Sequence, residues 1–494
     1  MELEFQQVQI PYLRSVLYET VLHEESGETV VPDTMPDMER IVDSYACVVL
    51  RSRECQGDAV SLAGDIQAGL SYMAAGEDTP RQITAYLPFS LRRSAPGASQ
   101  CAVTVRVRSV EGRMLNSRKA GLRVGLCVVL QAWEPTTQHC FAPGEPERRV
   151  QLRCADYPMR LPVEYAEKDL LLRDSLPLDA GQPEPHRIVH ADAQCRITDG
   201  KLSGSQAVCK GELQLDVLYE TMDLELCSAV LTLPFSGLVE LEGSYEEQGA
   251  EIAPVLTSLN AALENGAVTA EAGVCLQCTV TRMVSVPMVE DAYATRGILR
   301  AEYQSCAMQP RLDSRLLRQE LRHELPAQAA EVVRAEALPD APELQYGEGT
   351  LRVRTPVLLR VLYRDAGGEY RQAESRTELS AELPAENALC RAEIRPDGVL
   401  FAAPAAGRIE LRLPLALRLC WYDPGEKRYI CALGLDDAPR EERPAVVIRT
   451  LEEDAALWDI AKELRTTVSA IQTANDLEGE TAPAGVMLLI PIVA

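Results

Sequence analysis

The chain has 494 residues, 46% apolar and 25% charged, enough for three or four domains with ordinary hydrophobic cores. Its 49 basic and 74 acidic residues leave a formal charge of −25 with no basic stripe to offset it, which excludes nucleic acid and anionic lipid as partners. Aromatic residues are only 5%, which also argues against stacking platforms for bases or sugars.

In chain order, Met1-Glu2-Leu3-Glu4-Phe5 carries acid where a signal peptide carries base. No later apolar stretch, Ala482–Ala494 included, is long enough to span a bilayer. The expectation is a cytoplasmic protein with no transmembrane segment. A repeat comes next. Gly69-Leu70-Ser71-Tyr72, Val217-Leu218-Tyr219 and Val361-Leu362-Tyr363 place tyrosines 147 and 144 residues apart, and Ile41, Ile188 and Val332 keep the same two offsets. Leu87-Pro88-Phe89-Ser90 returns as Leu233-Pro234-Phe235-Ser236, with Leu379-Ser380 near the third equivalent place. Anchors that agree in this way define three units, set at residues 1–160, 161–308 and 309–440.

Each unit reads as β. Leu351, Val353, Thr355, Val357, Leu359, Val361 and Tyr363 alternate with other residues, as do Leu411 through Leu419 within Ile409–Trp421. Period-two alternation marks strands with one buried face. Asp365-Ala366-Gly367-Gly368 and Asp423-Pro424-Gly425 supply turns, and the sum suggests sandwich-type units. Pro356 and Pro414 suggest edge strands or bulges. Charged connectors at Glu167–Asp174 and Ser314–Arg322 are readable as short helices or as strands between units. Cys101 shares the register of Val103 and Val107, and Cys209 that of Leu213 and Leu215, so the fifteen cysteines read as buried small hydrophobes without disulfides.

A break at Asp437–Pro444 ends the β region. Beyond it, Val446-Val447-Ile448 reads as a strand, and Leu457, Ile460, Ala461 and Leu464 form one helical face. Thr466-Thr467 caps a second helix with Val468, Ile471 and Ala474, Asn475 is placed to end it left-handed, and Leu488–Pro491 closes the unit. The fold expectation is therefore mainly β: three tandem β-sandwich-like repeats, then a small α+β (βααβ) domain at 446–494.

Leu457-Trp458-Asp459-Ile460-Ala461, Thr466-Thr467-Val468 with Ile471, Asn475 with Leu477, and Leu488-Leu489-Ile490-Pro491 are four ordered blocks that resemble a LysM domain. Where that family has Gly-Asp-Thr, this chain has Asp454-Ala455-Ala456. The resemblance implies that this loop and the segment after Asn475 wall a sugar groove for N-acetylglucosamine polymers. Here the lip has lost its side-chain hydrogen-bond groups, and Val446–Ala494 holds eight acids against three bases. A protein partner suits such a surface better than a glycan. The expected contacts are Ala455, Ala456, Leu457, Asn475, Asp476 and Leu477, with Trp458 a packing residue beside them.

Met1-Glu2-Leu3-Glu4, Val31-Pro32-Asp33, Pro36-Asp37-Met38 and Leu171–Ser175 are similar to SPOCS domains of spore-forming Firmicutes, and tandem SPOCS units followed by LysM resemble the SipL-type spore-coat morphogenetic family. That resemblance implies a mother-cell cytosolic scaffold at the forespore surface, whose LysM unit docks onto the coat basement-layer ATPase (the stage IV sporulation protein A type). The β units would supply docking surfaces and self-association through edge strands. The alternative is a peptidoglycan- or chitin-type glycan-binding protein acting through the LysM groove.

Cys275-x-x-Cys278 lies in an alternating run, where residues three apart face opposite ways, so no metal site is expected there. His186 and His190, as strand residues roughly 13 Å apart, cannot share an ion and read as solvated or turn residues. His139-Cys140 diverge, and His23 and His323 read as exposed. Glu246-Glu247 and Glu452-Glu453-Asp454 read as solvated surface. No nucleophile elbow, zincin, Walker A or dinucleotide fingerprint occurs. The expectation is no catalytic residue, no metal and no cofactor.

Overall fold

The computed structural model describes residues 2–3, 6–142, 149–245, 249–385, 388–437 and 443–492. Met1, Glu4 and Phe5, the acid pair Glu246-Glu247, residues 438–442 of the break and the last two residues lie outside the described residues.

A two-residue strand, β1 (Glu2–Leu3), precedes the first unit, which consists of β2 (Gln6–Val30), β3 (Met38–Gln56), β4 (Ala59–Ala74), β5 (Arg81–Ser94), β6 (Gln100–Asn116) and β7 (Lys119–Ala142). Its two antiparallel sheets have the orders β2-β7-β6 and β3-β4-β5. The second unit has β8 (Val150–Leu176), β9 (Pro185–Thr221), β10 (Leu226–Tyr245), β11 (Gly249–Glu264) and β12 (Ala267–Ala294). Here β9 doubles back on itself near Gly204 (φ 61°), Thr198 donating to the Lys210 carbonyl at 3.2 Å, so its two arms replace β3 and β4. The sheets are β8-β12-β11 and β9-β10.

The third unit comprises β13 (Ile298–Cys306), β14 (Arg311–Pro326), β15 (Ala329–Pro339), β16 (Glu343–Gly347), β17 (Thr350–Asp365), β18 (Tyr370–Pro384), β19 (Leu389–Pro396), β20 (Phe401–Ala405), β21 (Arg408–Tyr422) and β22 (Lys427–Asp436). In its sheets β17 lies between β15/β16 and β18, and β21 between β14 and β19/β20. The pattern is the same three times: first strand beside last, and a meander facing them across an apolar core.

The repeated residues do repeated work. Tyr72 donates to the Pro36 carbonyl at 3.0 Å, and Tyr219 to the Pro183 carbonyl at 3.1 Å, each reaching back 36 residues. Gly64 pairs with Phe89 and Gly211 with Phe235 across neighbouring strands. In both places the ring lies over the glycine: an added Cβ would stand 2.4 Å from the Phe89 ring, or 2.3 Å from the Phe235 ring. The Leu-Pro-Phe-Ser motif is thus half of a glycine–phenylalanine pair. In the third unit the pair is Thr355 and Leu379.

Of the two forms open to the connectors at 167–174 and 314–322, the structure has the strand: they are parts of β8 and β14. The expectation of edge strands or bulges at the two prolines needs correction. Pro356 and Pro414 sit in central strands. Each faces a gap in the neighbouring strand, Pro356 between β15 and β16 and Pro414 between β19 and β20, so the missing N–H leaves no carbonyl unpaired. Their carbonyls accept from Asp340 and Asp397 at 2.8 and 2.9 Å. Ten of the fifteen free cysteines are buried. Cys275 faces the first unit's core and Cys278 the second's, because β12 is covered on both sides.

The first and last strands of each unit run past the sandwich into a shared bundle of three ribbons. Residues 6–14 pair with 134–142, 150–161 with 282–294, and β13 with β22. Ile10, Cys140, Met159, Met288, Cys306 and Tyr429 pack together there. The Tyr429 hydroxyl accepts from Gln138 at 2.8 Å and reaches the His139 carbonyl at 3.1 Å. Finally β1 pairs with β22, closing the chain on itself.

The C-terminal unit has the order β23 (Val446–Thr450), β24 (Ala455–Ala456), α1 (Leu457–Leu464), α2 (Val468–Asn475), β25 (Thr481–Ala482) and β26 (Met487–Pro491), with β23 on β26 and β24 on β25. Thr467 caps α2, its hydroxyl accepting from Ala470 at 3.1 Å. The left-handed residue after α2 is Asp476 (φ 52°), not Asn475. No helix among the described residues is long and apolar enough to cross a membrane.

Candidate functional site

Among the described residues, polar side chains gather at the C-terminal unit and at the junction of the three β units. In the first, Ala455 and Ala456 are half-buried in β24, opposite Ala482 and Thr481. Leu457 is fully buried among Ile460, Ala461, Ile471 and Leu488, so it holds the fold and offers no side chain to a partner. Its N–H donates to the Glu480 carbonyl at 2.8 Å, which brings the returning loop alongside Ala456.

Asn475 is a clip. Its amide donates to the Ile471 carbonyl at 2.8 Å and the Leu489 carbonyl at 2.6 Å, and its oxygen accepts from the Leu489 N–H at 2.7 Å. That side chain closes the edge of β26 as a neighbouring strand would. Asp476 is exposed, and Leu477 rests half-buried on the same core as Ala455. Ala455, Ala456 and Leu477 therefore share a rim, while Leu457 and Asn475 point into the structure.

Trp458 does more than pack beside that rim. Its indole N–H donates to Asp291 at 2.8 Å, and Lys462 one turn later meets both Asp291 oxygens at 2.7 Å. Tyr293 meets the indole edge-on at 4.9 Å and donates to the Thr466 carbonyl at 2.8 Å, and Arg153 lies 5.7 Å from the ring centre. Burial pushes the Asp291 carboxyl up, but hydrogen bonds from Lys462 and Trp458 outweigh it and hold the group below the usual range. The helical side of the C-terminal unit is thereby clasped to the second unit's ribbon. Sequence reasoning missed Asp291, Tyr293 and Arg153. The only linear signal is the polar Glu290-Asp291 interruption of an otherwise apolar strand end.

At the junction, Val42, Val189 and Val333 meet in one buried cluster, and they stand at the repeat's own offsets. The next residue of each unit is Asp43, His190 and Arg334. Arg334 pairs with Asp43 at 3.2 Å and with Glu336 at 3.1 Å. Arg360 donates to the Ser44 carbonyl at 2.9 Å and hydroxyl at 2.8 Å. His190 is not solvated: it is 3% exposed and stacks on Tyr45 at 4.6 Å. Burial, with Arg334 nearby, keeps its pKa well below the ordinary value, so the ring is neutral. His23 and His323 are half-buried too, bonded to Glu25 and Ser375 at 2.8 and 2.9 Å, whereas His186 is exposed.

Beside this cluster lie two open clefts of about 220 and 240 Å³, which share Asp192, Gln194 and Gln214. Burial raises Asp192 to about 7, with Asp216 adding to it, and raises Asp216 to about 6. Ser228, on the wall of the first, gives its hydroxyl to the Val333 carbonyl at 2.6 Å. Ser228 thereby joins the second unit to the third. Gln277 does the same between the first two units, donating to the Val103 carbonyl at 2.8 Å and accepting from its N–H at 2.7 Å. Among the described residues, no three His, Cys, Asp or Glu side chains are grouped to hold a metal ion.

Compared with known proteins, residues 184–264 match the SipL, SPOCS domain family. No curated protein and no solved structure matches the chain. The matched span takes in β9, β10 and β11, and so one sheet of the second sandwich and the edge strand of the other. A SipL SPOCS domain implies a spore-coat morphogenetic protein. The chain thus carries a SPOCS domain of the SipL family, at residues 184–264, inside the second of three like-folded units.

Proposed function

We propose that this protein is a non-enzymatic adaptor of spore-coat assembly. Its three β units form a braced body at the forespore surface, in the mother-cell cytosol. Its C-terminal LysM-like unit docks onto the ATPase that polymerises into the coat basement layer. The observation that carries the coat reading is the SPOCS match at 184–264.

Docking through the C-terminal unit is supported by how that unit is held. The clasp of Trp458 and Lys462 on Asp291 turns the helical side inward and leaves the rim of Ala455, Ala456 and Leu477 and the outer sheet facing away. An adaptor needs such fixed presentation. The absence of side-chain hydrogen-bond groups on Ala455 and Ala456 of that rim weighs against the glycan reading.

The test uses the full chain in two assays. It is expected to bind the purified basement-layer ATPase, and an Ala456→Arg variant to bind it several-fold more weakly. Retention on purified peptidoglycan that free chitooligosaccharide competes away, with no ATPase binding, would overturn the adaptor reading.

A further inference from the structure

The two-stranded sheet of the C-terminal unit is covered on one face only. Val447, Leu488 and Ile490 point inward onto α1 and α2. The opposite face carries Val446, Ile448 and Thr450 on β23, against Pro491, Leu489 and Met487 on β26. Val446 is 45% exposed, Ile448 63%, Met487 66% and Leu489 41%. None of these six side chains is charged. Ile448 and Leu489 lie directly opposite one another, and the Leu489 backbone is already taken by Asn475, so their side chains sit close as a non-hydrogen-bonded pair.

The clasp to Asp291 is on the helical side, so the body of the protein does not reach this face. A continuous apolar strip in a chain of charge −25 marks an interaction surface. Its size and charge define the occupant. Four exposed side chains on two five-residue strands fall well short of the roughly 800 Å² per partner that a stable protein pair buries, and two copies of so acidic a chain repel each other. A second copy is therefore a poor fit.

A single amphipathic helix fits well. The strip runs about 14 Å along β23, close to the span of two helical turns, about 11 Å. At the Met487 end the exposed Glu452 and Glu453 follow Leu451, whose N–H bonds to the Val486 carbonyl. These carboxylates stand where a basic residue at the helix end would reach. We infer that the outer face of the β23–β26 sheet docks an amphipathic helix of a partner protein, with apolar residues spaced three and four apart on Val446, Ile448, Met487 and Leu489 and a Lys or Arg toward Glu452 and Glu453.

This inference rests on reading the C-terminal unit as a protein-docking module, and the experiment separates the two. Binding of the full chain to the purified basement-layer ATPase is measured by biolayer interferometry for wild type, Ile448→Glu, Met487→Glu, Glu452→Lys with Glu453→Lys, and Ser469→Glu on the exposed side of α2. The outer-face changes replace exposed side chains, so melting temperatures should stay within a few degrees. Expected are a loss of tenfold or more for Ile448→Glu and Met487→Glu, a few-fold loss with weaker salt dependence for the double Lys variant, and no change for Ser469→Glu. Wild-type affinity in both outer-face variants would overturn this surface while leaving the docking reading in place. Absence of binding by the wild-type chain would overturn the docking reading, and this surface with it.

Discussion

The second and third units share a strand plan but solve the same packing problem differently. In the second, Gly211 lies under the Phe235 ring, and a Cβ there would also meet the Arg196 carbonyl at 2.7 Å. In the third, the equivalent positions are Thr355, fully buried, and Leu379. A large ring over nothing has become two medium side chains sharing the space. Two strands that run unbroken in the second unit are interrupted in the third, opposite Pro356 and Pro414. A repeat can thus keep its topology while its core contacts change, provided that volume and hydrogen bonding are conserved pairwise.

Exchanging these two packing solutions should have the largest effect on stability. Gly211→Val should cost about 3 kcal/mol or more, since the new side chain meets a ring and a backbone carbonyl that cannot both withdraw. Thr355→Val, by contrast, removes a buried hydroxyl that has no hydrogen-bond partner, and should be neutral or stabilising by up to about 1 kcal/mol. Denaturant midpoints of the full chain would decide. Equal losses at both sites would mean that the third unit depends on its Thr–Leu pair as the second does on its glycine.

The axial acids offer a second contrast, smaller in effect. Asp192 and Glu336 occupy equivalent positions. Glu336 is paired with Arg334 at 3.1 Å and Arg360 at 3.5 Å, and Glu336→Gln should cost about 2 kcal/mol by leaving buried guanidinium charge uncompensated. Asp192 is raised to about 7 by burial, so its folded pKa lies above its unfolded one, and the folded state gains from its proton. Stability tied to that proton is full below about pH 4 and is lost as pH rises through 7. Asp216, raised to about 6, adds to this loss, and Cys47 and Arg334 also face the site. His190, held neutral, works the other way, gaining stability as pH rises toward its unfolded value. Asp192→Asn should therefore stabilise the chain at pH 8 by about 1 kcal/mol relative to its effect at pH 5. Thermal melts at the two pH values test the sign. An equal effect at both would show that Asp192 does not titrate in this window.

The smallest expected effect is at Pro356. A valine there regains an N–H that faces the gap between β15 and β16, where water can satisfy it. Pro356→Val should change stability by less than about 1 kcal/mol, whereas proline inside an unbroken central strand costs more. A larger loss by urea titration would show that the ring itself braces the gap.

What was legible in the sequence was local or periodic. The offsets of Tyr72, Tyr219 and Tyr363 registered three units because each tyrosine faces the same core wall, and the helical faces of the C-terminal unit follow from short-range spacing. Hidden were the relations between distant segments. His190 reads as a hydrophilic residue at a strand entrance, yet the meeting of three units around Val42, Val189 and Val333 buries it. Pro356 reads as an edge signal, because nothing within its own strand reveals a gap in the next one. Leu457 and Asn475 matched the expected rim by position, but their side chains are spent on the core and on the edge of β26. The partner of Trp458 lies 167 residues away, beyond any periodicity.

The pairing of β1 with β22 also fixes an order of events. Glu2 lies opposite Gly434, and the third ribbon needs β22, so the bundle cannot be completed until nearly all of the β body has emerged during synthesis. The first two sandwiches, built from neighbouring strands, can form earlier. They then wait with their ribbon ends uncovered, since closing a contact across more than four hundred residues is slow relative to local pairing. The unit at 446–492 emerges after β22, so its clasp on Asp291 forms only once the strands of the third ribbon have been made.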